Sequence, residues 1–83
     1  MGLTIEMVNP ERQIMEEIRN GVGQDSVAIT YAFCIAQLGD AADWPAINAA
    51  IQERWKGKTA LRRVKESAWR HVEEWNRKIQ TGA

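Results

Sequence analysis

The sequence predicts an all-α domain: a compact four-helix fold of three shorter helices and one long C-terminal helix, preceded by a short extended arm. Three observations lead there. Apolar residues recur at steps of three and four through most of the chain, helix-capping residues stand before the periodic segments, and only one short stretch alternates with a strand period. That stretch is Leu3 to Met7, which has no second strand to pair with, so residues 1–9 read as an extended arm. The whole chain of 83 residues reads as a single helical domain, with a modest core.

Asn9-Pro10 supplies a cap followed by proline at the first helical position. Ile14, Met15 and Ile18 form an apolar stripe, and Asn20-Gly21 is a stop signal, placing the first helix over 10–20. Asp25 or Ser26 can cap the second segment, Val27 to Leu38, which ends at Gly39. It is apolar all round, as a helix covered by its neighbours should be. Its β-favouring residues permit a buried strand, but its length and three alanines favour helix. Asp43 caps a third helix starting at Trp44-Pro45, with Ile47, Ile51 and Trp55 four apart, until Lys56-Gly57-Lys58 breaks it. Thr59 caps the last helix, over 59–80. Leu61, Val64, Ala68, Val72, Trp75 and Ile79 give it one apolar stripe over five turns. Trp69 falls about 80° from that stripe at 100° per residue, a boundary position.

Composition narrows the function classes. Hydrophobic residues are 45% and charged residues 27% of the chain, ordinary for a soluble domain. The longest apolar run is too short to span a membrane, and no basic segment leads into an apolar one as in a secretory signal. The single cysteine, Cys34, excludes an internal disulfide and fits a reducing compartment, so a cytoplasmic protein without membrane attachment is expected. Cys34 lies in the most apolar segment, as an inert core thiol would. His71 is the only histidine, so histidine triads and multi-histidine metal sites lack partners; with Glu74 it could hold at most one edge of a metal site. Glu16-Glu17 and Asp40/Asp43 are not acid/base dyads: the first pair is on a polar helix face, the second brackets a turn and a cap. Gly21-Val22-Gly23 is too short for a phosphate loop. The expectation is therefore no enzyme, no cofactor, no metal and no small-molecule substrate.

Charge is the informative feature. Residues 1–53 carry two basic and eight acidic side chains, a net of −6; residues 54–83 carry nine basic and three acidic, a net of +6. Beyond Glu66, i, i+4 pairs such as Glu66-Arg70 and Glu74-Lys78 describe a solvated face. They leave Arg54, Lys56, Lys58, Arg62, Arg63 and Lys65 with only Glu53 and Glu66 nearby. Cations at a helix start oppose its dipole, whereas an anion bound there is favoured. These six residues are the candidate nucleic-acid-binding site, on a helical hairpin around 54–70. A DNA-reading helix-turn-helix is a poor match, because Glu53 stands where a small residue belongs and lysines flank Gly57. Trp55 and Trp69 could stack on bases, although tryptophans at helical spacing are more often core.

Two functions follow: a small DNA- or other nucleic-acid-binding module, or a non-enzymatic protein-interaction or inhibitor protein whose tryptophans and opposed charges face a protein partner. Four tryptophans and an apolar second helix in so short a chain also predict a homodimer, with the acidic half of one subunit against the basic half of the other. No motif ties the chain to a named family. Its compact helical form and single cysteine are similar to those of small proteins encoded by phages or mobile elements.

Overall fold

The computed structural model describes residues 9–81 and is all-helical across them: α1 (Pro10–Arg19), α2 (Gln24–Leu38), a 3₁₀ turn (Gly39–Ala41), α3 (Trp44–Arg54) and α4 (Lys58–Thr81). The expected arm over residues 1–9 lies, except for Asn9, outside the described residues.

The caps at α1 and α3 form as their sequences require. The Asn9 side chain accepts from the Arg12 amide at 3.1 Å, and the Asp43 side chain accepts from that of Ala46 at 3.3 Å. Glu11 reaches from α1 to the start of α3, accepting from the Asp43 amide at 3.3 Å, where a carboxylate also complements the helix dipole. Two helix starts differ from expectation. Helix α2 begins at Gln24 with Gly23 as its N-cap and no side-chain cap, so neither Asp25 nor Ser26 caps it. The Val22 amide closes α1 by donating to the Glu17 carbonyl at 3.0 Å, which turns the chain early enough for α2 to start at once. Asp25 instead sits in the first turn, where its charge suits the dipole. Likewise α4 begins at Lys58 rather than after a Thr59 cap, because Gly57 makes the turn with φ 122°.

Helix α2 is the central element. It packs most extensively on α4 and next on α1, while α3 closes the bundle by touching α1 and α4. Most of its apolar surface is thus met by neighbours: Val27, Ala28, Tyr31, Ala32 and Cys34 are all buried, while Ile29 and Ala36 face outward. They join Ile14 and Ile18 of α1, Ile47 and Ile51 of α3, and Val64, Ala68 and Val72 of α4 in one core. Each fully buried isoleucine contributes on the order of 1.5–3 kcal/mol over an exposed one. The one buried polar side chain among the described residues is Thr30, whose hydroxyl lies 2.8 Å from the Glu17 carboxylate. Gln13 donates to the same carboxylate at 3.0 Å.

Helices α2 and α3 sit diagonally and are joined by side chains. The Tyr31 hydroxyl donates to Asn48 Oδ1 at 2.8 Å, and the Tyr31 and Trp44 rings are 4.9 Å apart between centroids. The apolar stripe of α4 is half-buried at Leu61, core at Val64, Ala68 and Val72, half-buried at Trp75 against Phe33, and exposed at Ile79. It therefore packs for fewer turns than its periodicity extends, because α2 is shorter than α4. No helix among the described residues is long and apolar enough to cross a membrane.

Candidate nucleic-acid interface

Of the six candidate cations, the five whose side chains are described do not form one patch. Arg54, the last residue of α3, is half-buried. It donates through Nη1 to the Val22 carbonyl in the α1–α2 turn, and its guanidinium lies 4.0 Å from the centroid of the Trp55 ring. Both contacts are structural: the first satisfies a loop carbonyl, and the second is a cation–π contact. Trp55 is half-buried against the core beneath it. Arg54 is thereby turned toward its own chain.

Lys56 is exposed in the α3–α4 turn, and Lys58 opens α4. Arg62, Arg63 and Lys65 are exposed on the first turns of α4. At 100° per residue Arg62 and Lys65 lie about 60° apart, with Arg63 about 100° to the other side of Arg62. Arg62 reaches Glu66 at 3.8 Å, a well-solvated pair of small energetic weight. Arg63 borders the uncapped start of α2, in a hollow that also holds Gln24, Asp25 and Arg70.

Arg62 and Lys65 instead share a face with a residue outside the candidate set. An open groove of about 1050 Å³ runs along α4, with Leu61 and Trp69 as its apolar lining and Arg62, Lys65 and Arg70 as its cations; Glu66 and Glu73 also line it. Trp69 is 52% exposed, a large aromatic surface in contact with water. Its position about 80° off the apolar stripe was the sequence signal for this exposure. Arg70 was legible only as a member of an i, i+4 ladder, and it is in fact exposed beside Trp69.

A second, smaller cleft of about 240 Å³ adjoins the groove. It is lined by Tyr31, Ile35, Asp40 and Trp44 from the α2–α3 side and by Lys65 and Trp69 from α4, so the last two residues border both hollows. The polar ends of its inner aromatics are already engaged. Trp44 Nε1 donates to the Gly39 carbonyl at 2.8 Å, and the Tyr31 hydroxyl is held by Asn48.

Cys34 is wholly buried, and burial foremost, with the charges of Glu11 and Glu17, pushes its thiol up to about 12. A thiol so protonated is a poor nucleophile at neutral pH. No cluster of three or more His, Cys, Asp or Glu side chains able to hold a metal occurs among the described residues. Comparison with protein-family models, with curated proteins and with solved structures finds no match for the chain.

Proposed function

We propose that the protein is a small nucleic-acid-binding module that holds single-stranded DNA or RNA along the α4 groove. The carrying observation is Trp69, half-exposed in the groove with Arg62, Lys65 and Arg70 around it. Single-strand binders use this combination, an aromatic face for a base and cations for the backbone; one stacked base is worth about 1–3 kcal/mol. Lys56 and Arg63 extend the positive field beyond the groove, while Arg54 serves the scaffold. A protein partner is the second reading, supported by Glu66 and Glu73, which leave the groove with only one net positive charge.

A fluorescence titration with single-stranded and duplex DNA at low salt tests the first reading. The single strand should quench Trp69 and bind more tightly than the duplex, and Trp69→Ala should lower affinity about tenfold or more. Five phosphate contacts would give a log–log salt slope of about −3.5. Replacing Lys56, Lys58, Arg62 and Arg63 together with glutamine should abolish binding and leave helicity and stability intact, since cations at the α4 start oppose its dipole. Loss of more than about 2 kcal/mol of stability would make those cations scaffold and favour the protein-interaction reading.

A further inference from the structure

We infer that the cleft between the α2–α3 side and α4 receives one unstacked nucleobase of the bound strand, and that Asp40 selects a base carrying an amino group. The inference rests on the strand-binding reading and adds a specificity to it.

Size comes first. At about 240 Å³ the cleft lies just below the range of roughly 300–1,000 Å³ that holds drug-sized ligands, so it suits a single flat ring system. Its walls are aromatic: Trp44 on the inner side, backed by Tyr31, and Trp69 on the outer. Because Trp44 Nε1 and the Tyr31 hydroxyl already have partners, these residues offer rings rather than hydrogen bonds.

Two charged side chains of opposite sign complete the lining, and neither Asp40 nor Lys65 joins an ion pair among the described residues. A carboxylate only accepts hydrogen bonds, so Asp40 matches an exocyclic amine such as cytosine N4. An ammonium only donates, so Lys65 matches a phosphate. Lys65 borders both the cleft and the basic groove, which places the phosphate where the base enters. An aromatic-walled site with a carboxylate also suits an organic cation, but Lys65 at the same opening repels one. A base with its phosphate satisfies both charges at once.

The test compares oligodeoxycytidine with oligodeoxyuridine, each about ten nucleotides long, within the usual single-strand site sizes. The two have identical backbones; in the ring, cytosine has an amine at C4 and a bare N3, uracil a carbonyl at C4 and an N3–H, so a carboxylate set at the C4 edge meets a donor in cytosine alone. The parent protein should prefer the cytidine strand by about fivefold or more, the range of one base-edge hydrogen bond. Asp40→Asn, whose amide both donates and accepts, should bring that ratio close to one; Arg63→Gln should weaken both strands equally and keep the ratio. A purely electrostatic or structural effect of Asp40 would shift both affinities together and leave the preference, overturning the inference. Equal binding of the two strands by the parent overturns the base subsite alone and leaves the strand groove standing. Binding of neither strand overturns both. Cytidine monophosphate binding as tightly as the oligomer would make this a free-nucleotide site and overturn the assignment to a strand.

Discussion

Arg54 shows how a residue's environment decides its role. The sequence offers it as one of six equivalent cations, yet it is the one that bridges two turns, through Val22 and Trp55. Nothing in its neighbourhood along the chain marks this, because Val22 lies 32 residues away. Arg54→Ala should cost about 2 kcal/mol, the low end of the sum of a charged hydrogen bond and a cation–π contact, as suits a half-buried site. Lys56→Gln should cost under about 0.5 kcal/mol, as exposed substitutions do. Urea unfolding of the two variants measures the difference, and equal midpoints would remove Arg54 from the scaffold. Two other side chains make stability depend on alkaline pH. Burial foremost, and the nearby Cys34, raises the Tyr31 hydroxyl from 10.0 to about 12; Cys34 itself rises from 9.0 to about 12. Folded protein therefore binds more protons than unfolded protein between about pH 9 and 12. Stability from these groups is fully present below pH 9 and declines as pH climbs toward 12. Thermal melts across that window should fall steadily, and Cys34 should resist thiol reagents at pH 8 until the chain unfolds.

At the scale of elements, what could be read from the chain was what local chemistry controls. Asn9 and Asp43 cap the helices they precede, and Gly21, Gly39 and Gly57 mark turns, all three with positive φ. The starts of α2 and α4 were less legible, since both depend on how tightly the preceding turn closes rather than on a side-chain cap. This gives two glycines with opposite sensitivities. Gly57 has φ 122°, a conformation rarely open to residues with a Cβ, so Gly57→Ala should destabilise by about 1–3 kcal/mol although open space surrounds it. Gly23 has φ −69° and equally open surroundings, so Gly23→Ser should be neutral or stabilise by a few tenths of a kcal/mol through the missing cap. Chemical denaturation of both variants checks the contrast; a tolerant Gly57 would mean the α3–α4 turn relaxes freely.

Across the whole molecule, the all-helical class followed from periodicity, and the central place of α2 from its apolarity on every side. The candidate site was only half legible. Charge pointed to the α4 start, where the groove lies almost wholly on one face of α4, but the cleft brings Asp40 and Trp44 against Lys65 and Trp69 from distant parts of the chain. The homodimer expected from composition now has a narrower basis, because most of the apolar residues of α2 are covered within one chain, Ile29 at 39% exposure and Ala36 being the exposed ones. The molecule measures 42 × 23 × 22 Å, and the 24 residues of α4, about 36 Å of helix, outrun the 15 of α2. The overhang carries Ile79, 50% exposed, which a second copy could cover. Sedimentation at micromolar concentration should give twice 9.4 kDa, and Ile79→Glu should return it to 9.4 kDa. A parent chain at 9.4 kDa rejects the dimer.

The pairing of α4 with α2, rather than with its hairpin neighbour α3, also bears on how the chain closes as it folds. The most extensive seam of the molecule joins two helices separated by residues 39–57. Those residues must be drawn into a closed loop before the seam can form, an entropic cost met ahead of its return. Helix α3 lies wholly within that loop, so whatever helix it forms early shortens the span to be closed. Mutations that weaken α3 should therefore slow folding more than they speed unfolding, which stopped-flow chevrons would measure.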